Sequence, residues 1–396
     1  MRIGMILDKT FPPDPRVENE AISLIKNGHE VFLFCLKYEN ELKNENIQGI
    51  QVKRYKSNKL IYKLSALVYT FPFYTQIMAQ KIRDFCITNK IEVIHIHDIQ
   101  IAGAAFKVNK KLNLKVVLDL HENRPEIMKF YPHLKSFFGK LLISLKKWKQ
   151  KEEIFIKKAT TLIVVTQESK NEIVNRVGKD SKDIVVVPNT VHKNYYKKAI
   201  LKQGIIDKYK DNFVLLYIGD TGLRRGLQTV IKSVSVLKET IKNLKLVIVG
   251  SNTSDIILKK QVKILNIQNF VDFEGWQNEN LLPSYIVASS ICISPLHRNL
   301  HHDTTYANKL SQYMSVGKPL LVSNATAQAN LIEKAKSGLI HREQDSEDFT
   351  MKVLQLYTDE KLRDNLGSNG NQFIANDFCW EKTSEKLIDL YANFNL

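Results

Sequence analysis

At 396 residues, 44% of them hydrophobic, the chain is long enough for two buried cores and too apolar for a disordered polymer. Its formal charge of +17 is unevenly placed: residues 1–200 carry 35 Lys and Arg against 20 Asp and Glu (+15), and residues 201–396 carry 23 against 21 (+2). The first half is therefore expected to face something anionic, whether a membrane surface, a nucleic acid or a phosphorylated substrate.

The amino terminus enters "IGMIL" (3–7) directly, with no charged n-region or long apolar run, so no secretory leader is expected. Short apolar runs rich in Val and Ile follow at "VFLFCL" (31–36), "VIHIH" (93–97), "VVLDL" (116–120), "LIVVT" (162–166) and "IVVVP" (184–188). Between them, "LSALVYTFPFYTQIMA" (64–79) is too short for a membrane span and carries Pro72, which predicts a helix pair or an interfacial element. The second half repeats the rhythm at "FVLLYIG" (213–219), "LKLVIVG" (244–250), "FVDFEG" (270–275), "ICISP" (291–295) and "PLLVS" (319–323). Continuous apolarity means strands covered on both faces, hence parallel sheets between helices. The expected architecture is α/β: two doubly wound Rossmann-like domains, 1–195 and 205–376, facing a cleft, with a terminal helix in 377–396 packing back toward the first. Cys35, Cys86, Cys292 and Cys379 show no metal or redox spacing, which predicts reduced core thiols and a cytoplasmic protein.

Ligands of open parallel sheets bind beyond the carboxyl ends of the strands, so the loops there are the places to search. "DKTFPPDPRVENEA" (8–21) puts Arg16 at a helix start, a candidate anion site or else a surface arginine on a stiff loop. "LDLHENRPE" (118–126) puts His121 beyond a strand, able to bond a substrate hydroxyl or leaving group, or else a satisfied core histidine; His95 and His97 read as structural. In "YIGDTGLRRGLQTVI" (217–231), Arg224 and Arg225 before Gly226 suit a diphosphate, because the guanidinium fork matches phosphate oxygens. The G-x-G-x-x-G spacing of a dinucleotide site is absent.

"HRNLHHDTTYANKLSQY" (297–313) holds His297, His301, His302 and Asp303 without a regular ligand spacing, so no metal is expected. Asn308 and Gln312 share a helical face beside Lys309 that could hold a ribose or phosphate. The segment 129–158 has nine lysines against two glutamates; Lys146, Lys147, Trp148, Lys149 and Lys151 make it a candidate contact for anionic lipid or acceptor, or else an ordinary solvated helix face. No nucleic-acid motif accompanies this charge.

Taken in order, "FPPDPRVENEAISLIKNGHEV", "VVLDLHENRPE", "LIVVTQES" with "IVVVPNT", "LYIGDTGLRRGLQTVI" and "ANKLSQYMSVGKPLLVS" resemble the family 4 glycosyltransferases, retaining enzymes of the two-domain GT-B architecture. The resemblance implies that Arg225 contacts the donor diphosphate and that His121 lies near the transferred sugar and the acceptor. It places Gln312 at the second glutamate of the family's E-x7-E signature, which holds the ribose, and Thr304 at the first, which touches the donor sugar. Both glutamates are absent, and Asp220 stands where many members have arginine; Asp303 and Arg224 are the candidate replacements. The implied reaction is metal-independent transfer of a hexosyl group from a UDP- or GDP-sugar, with no cofactor, to a lipid-linked glycan acceptor. The implied setting is surface polysaccharide or lipopolysaccharide assembly, peripheral to the inner face of the membrane. A same-fold sugar-nucleotide epimerase or hydrolase, or a catalytically degenerate nucleotide-sugar-binding partner, are the alternatives.

Overall fold

The structure, a computed structural model, describes residues 1–131, 134, 139 and 142–395. The chain divides into two compact units, Met1–Pro188 with Ser384–Leu396, and Asn189–Thr383. The division falls earlier than a boundary at 195–205 because the connector is tied to the second unit. There the Trp380 amide donates to the Val191 carbonyl at 2.8 Å and the Thr190 hydroxyl to the Phe378 carbonyl at 2.5 Å.

Unit 1 is built on an eight-stranded sheet in the order β3-β4-β2-β1-β5-β6-β7-β8. Its strands are β1 (Arg2–Ile6), β2 (Glu30–Lys37), β3 (Asn44–Ile47), β4 (Ile50–Lys56), β5 (Val93–His97), β6 (Lys115–Leu120), β7 (Thr161–Val164) and β8 (Ile184–Val186). All neighbours run parallel except β3, which pairs antiparallel with β4. The central strands β1, β5 and β6 are buried on both faces, as their unbroken apolar runs require. β4 alternates buried and half-buried residues, and β3 is the polar "NENI". Neither has a continuous apolar run, so a search for such runs passes over both, and the sheet is mixed rather than purely parallel.

Unit 2 holds a six-stranded parallel sheet in the order β11-β10-β9-β12-β13-β14. Its strands are β9 (Phe213–Ile218), β10 (Leu244–Val249), β11 (Val271–Gly275), β12 (Ile291–Ser294), β13 (Leu320–Ser323) and β14 (Gly338–His341). β14, half-buried at the edge, is the strand not expected from the sequence. The predicted single terminal helix is broken into Trp380–Thr383, in unit 2, and Glu385–Ala392, in unit 1. The latter anchors through Tyr391, whose hydroxyl lies 2.8 Å from His95 Nδ1 in the core. The segment 64–79 contributes to the helices Lys59–Ser65 and Phe73–Thr88. Among the described residues no helix is long and apolar enough to cross a membrane. All four cysteines are free and buried.

Candidate functional site

In unit 2 the chain leaves β9 through Gly219 and Asp220, makes a single 3-10 turn at Leu223–Arg225, and enters the helix Leu227–Thr240 through Gly226. Arg224 and Arg225 therefore precede the helix rather than open it. Gly226 has φ +79°, and a Cβ there would stand 1.7 Å from the Pro295 carbonyl oxygen. Only glycine lets the arginine turn pass this close to the loop after β12. Arg225 Nε donates to Asp220 Oδ2 at 3.2 Å, and Arg224 approaches the same oxygen at 3.6 Å while its other nitrogen meets His302 Nε2 at 2.9 Å. Asp220 Oδ1 accepts from the Gly222 amide at 3.1 Å and from Asn252 Nδ2 at 2.5 Å. Burial raises the Asp220 carboxyl, but Arg225 and these donors outweigh it and leave it below its usual 3.8.

Lys309 begins the short helix Lys309–Ser315. That helix is held against β9 by Tyr313, whose hydroxyl accepts from the Ile218 amide at 2.9 Å. The Lys309 ammonium lies 3.7 Å from the centroid of the Tyr217 ring. Burial, and then the charge of Arg225, push this amine well below the lysine range. A buried, easily discharged lysine beside two arginines is a cradle whose electrostatic deficit an anion would relieve. Asn308 is exposed and Gln312 half-buried one turn along the same helix.

Two further expectations are corrected. Asp303 is not poised for a sugar: its Oδ1 accepts from Arg298 Nε at 3.0 Å and from the Thr326 amide and hydroxyl at 2.8 and 3.0 Å, which fixes the start of the helix Thr326–Ala335. Thr304 is buried and donates to the Leu300 carbonyl at 2.7 Å within its own helix. His301 and His302 are neutral bases, lowered to about 2 and about 3 chiefly by burial.

In unit 1 the carboxyl ends of β1, β5 and β6 carry a buried charge network. His121 Nε2 lies 2.8 Å from Asp119 Oδ2, and its Nδ1 lies 3.9 Å from Asp98 Oδ2. Burial alone would lower this imidazole; Asp119 and then Asp98 outweigh it and push it up to about 9. His121 is thus an imidazolium at neutral pH, and its Nδ1, 3.9 Å from Asp98, makes no close bond there. Asp98 holds φ +67° and ψ 159°, a conformation sparsely populated by residues other than glycine, while its amide donates to the Asp119 carbonyl at 2.9 Å.

Arg16 belongs to this network and is not an anion receptor. Its guanidinium donates to both Asp119 oxygens at 2.8 and 2.9 Å and to the Val187 carbonyl at 3.0 Å, and it meets Glu20 at 2.9 Å. Burial, with the neighbouring charge of Asp119, holds the Glu20 carboxyl up at about 8 in spite of Arg16. Glu20, His95, His97 and Asp119 form the group with metal-like spacing among the described residues. Arg16 faces both the Asp119 carboxylate and the Glu20 carboxyl, so the cluster has a positive charge from the chain itself.

Next to Lys9, which faces Asp98 of this network, is a cavity of about 440 Å³, lined in part by Asp8, Lys9, Ser65, Gln100, Arg124 and Tyr131 but not by His121. Burial, and then Asp98, raise the Asp8 carboxyl to about 6. Lys9 stands 4.0 Å from Asp98, and Arg124 donates to Gln100 at 3.0 Å. Donors, acceptors and net positive charge suit a polyhydroxylated ligand bearing an anionic group. Asp8, Asp119, Glu20 and Arg124 were not singled out from the sequence, although the i, i+2 spacing of Asp119 and His121 along β6 could have paired them.

Of the basic stretch, residues 132–133, 135–138 and 140–141 lie outside the described residues. On the helix Leu145–Lys158, Lys146, Lys147 and Lys151 are exposed, but Trp148 is only 2% exposed and packs edge-on to Tyr69, and Lys149 pairs with Glu152 at 3.2 Å. Trp148 is a core residue, not a surface anchor.

Comparison with known sequences matches residues 199–373 to the family described as Glycosyl transferases group 1, and residues 16–195 to Glycosyltransferase Family 4. The capsular polysaccharide biosynthesis glycosyltransferase CapM of Staphylococcus aureus is 23% identical over 261 residues, which is 61% of this chain and 64% of CapM. The chain thus spans a little under two thirds of that relative. Among solved structures, sucrose-phosphate synthase of Thermosynechococcus elongatus superposes with a TM-score of 0.81 at 16% identity, covering 100% of this chain and 99% of that one. The UDP complex of Anabaena HepE superposes at 0.73 with 13% identity, covering 99% and 100%. These likenesses establish the GT-B fold.

Proposed function

The chain belongs to the family 4 glycosyltransferases, and on that premise we propose that it moves a hexosyl group, with retention, from a nucleoside-diphosphate sugar to a glycan acceptor. The observation that carries the reading is the cradle of Arg224, Arg225 and buried Lys309 around the end of β9. Departure of the nucleoside diphosphate builds negative charge on its outer phosphate. Two preplaced guanidinium cations, with Lys309 ready to take up a proton beside them, meet that charge without needing to reorganise, and one such donor is commonly worth about 3 kcal/mol of barrier. Retention then follows from attack on the same face, assisted by the departing phosphate, with no metal required. The nearest carboxylate, Asp220, is held by the two arginines and Asn252 and so makes a poor covalent nucleophile.

Unit 1 takes the acceptor in the cavity lined by Asp8, Lys9 and Arg124, and His121, joined to that lining through Asp98 and Lys9, is the imidazolium we assign to a sugar hydroxyl. CapM's role in capsular polysaccharide biosynthesis supports a surface-polysaccharide acceptor, and the +15 of residues 1–200 supports a lipid-linked one met at the inner face of the membrane. The UDP complex of HepE makes uridine the first base to try.

The reading is tested by thermal unfolding with UDP, GDP, ADP, CMP and dTDP, each with and without EDTA. At about a hundredfold excess over Kd the bound nucleotide should add about 2.7 kcal/mol of stability. A shift with one diphosphate, unchanged by EDTA, is the expected result. No shift with any of them overturns the proposal.

A further inference from the structure

Unit 1 carries a second and larger cavity, of about 680 Å³, that shares no lining residue with the one lined by Asp8, Lys9 and Arg124. It lies between the helices Ile99–Leu112 and Leu145–Lys158 and is bounded on one side by residues 68–72. Its walls are aromatic: Phe106 and Phe155 stack at 5.2 Å with their planes 10° apart, and Tyr69 closes on Phe155 at 5.9 Å. Gly103 forms part of the floor. The atoms nearest to a Cβ there would be those of Tyr69, Phe155 and Thr75, at 3.4 to 3.8 Å, so a side chain can be added without a clash at Cβ and would project among the aromatic walls.

The rim is cationic. Lys107 and Lys110 come from one helix and Lys151 and Lys158 from the other, all exposed, and among the described residues no acidic side chain lines the cavity. Among the described residues none of the four is in an ion pair. Four lysines around an apolar hollow repel one another, which destabilises the empty site and favours an occupant carrying concentrated negative charge. At the mouth, Phe71 and Phe73 are 40% and 56% exposed and stack on each other at 6.4 Å. Solvent-exposed aromatics next to lysines suit the boundary between headgroups and acyl chains.

We propose that this cavity docks an anionic phospholipid of a bilayer, its phosphate among Lys107, Lys110, Lys151 and Lys158 and the upper part of its chains against Phe106 and Phe155. A bare phosphate would leave the aromatic walls unused, and a nucleic-acid strand could use the exposed Phe71 and Phe73 but not the enclosed Phe106 and Phe155. The site extends the lipid-borne acceptor proposed above. It also relocates the membrane contact from the Lys146–Lys149 face to the groove between the two helices.

The test is flotation of the full chain with vesicles of phosphatidylcholine alone and of phosphatidylcholine with an equal part of phosphatidylglycerol. Binding is expected only to the second. Lys107→Gln with Lys110→Gln should weaken it by about tenfold or more, given the worth of a lysine near an anionic surface. Gly103→Leu leaves every charge in place and fills the hollow, and should weaken binding to a similar extent while the unfolding temperature is kept. Lys146→Gln with Lys147→Gln should have the smaller effect. The proposal is overturned by any of three results: undiminished binding in Gly103→Leu, a larger loss in the Lys146, Lys147 variant, or equal affinity for a single-stranded oligonucleotide. None of these readouts depends on nucleotide binding or turnover, so failure here is separable from failure of the transferase reading.

Discussion

Asp119 and His121, two residues apart at the end of β6, form an ion pair at 2.8 Å in which the carboxylate also carries the guanidinium of Arg16. One buried anion thus serves two cations. Burial raises the Asp119 carboxyl, but Arg16 and His121 bring it well below its usual 3.8, and the same pairing lifts His121 to about 9. The pair therefore stabilises the fold fully between about 3.8 and 6.5, the ordinary values of the two groups. Its contribution is lost on the alkaline side as the pH rises through about 9, and on the acid side as the pH falls through the lowered value of Asp119.

Asp119→Asn should bring the His121 midpoint down to its ordinary 6.5 or below, since burial then acts with less to oppose it. Proton-carbon NMR of the imidazole across pH reads this directly. A wild-type midpoint already near 6.5 would show that the pair does not hold the charge. Asn also leaves Arg16 and Glu20 in a buried, poorly compensated pair, so a stability loss of about 3 kcal/mol is expected alongside.

Asp220 occupies the arginines that a diphosphate would bind, so the two anions compete for Arg224 and Arg225. Arg225→Ala removes a charge-assisted fork and should weaken UDP binding by about ten- to a hundredfold. Asp220→Asn should strengthen it severalfold, because the ligand no longer has to displace a carboxylate from the arginines. Isothermal calorimetry on both variants decides the matter: affinities that move together, or not at all, would sink the phosphate assignment.

The parts of the molecule that were legible in the sequence share one property, which is that local pattern and tertiary role agree. Strands such as β9 and β10 are apolar throughout because both their faces are covered. β3 and β4 were illegible because an edge position asks for a polar or alternating pattern, which helix faces and loops also show. Site residues divide in the same way. Arg225 and Lys309 sit at strand- and helix-adjacent turns that the sequence marks with glycine and polar runs. Arg16 looks like a helix-start anion site until Asp119, 103 positions away, is found to fill it. Asp303 similarly finds its partner at Thr326, and Trp148 its place in the core against Tyr69. Which partner claims a charge is a property of the folded neighbourhood and leaves no trace in spacing.

Lys309 ties nucleotide binding to a proton. Burial and Arg225 depress its amine in the empty protein, and a diphosphate close to it would raise it again. Binding should therefore take up a proton, so that affinity falls as the pH rises through the value of the liganded state. Titrations in buffers of different ionisation enthalpy measure the uptake as a slope. Lys309→Met should abolish that slope and weaken binding; a zero slope in the wild type refutes the coupling.

Gly226 and Gly178 separate two costs that glycine avoids. Both have positive φ, +79° and +69°, but a Cβ at Gly178 meets nothing within 4 Å, whereas at Gly226 it meets the Pro295 carbonyl at 1.7 Å. Gly178→Ala should thus cost only the left-handed backbone, about 1 kcal/mol. Gly226→Ala adds a clash with main chain that has no flexible end to move aside, and a total of about 3 kcal/mol or more is expected. Relief of the clash must push the 3-10 turn away from the loop after β12, which carries Arg225 out of register with Lys309. Urea unfolding of the two variants measures the difference, and UDP titration of whatever Gly226→Ala protein stays folded measures the displacement. Equal unfolding midpoints for the two variants would mean that the close approach at Pro295 is not made in solution.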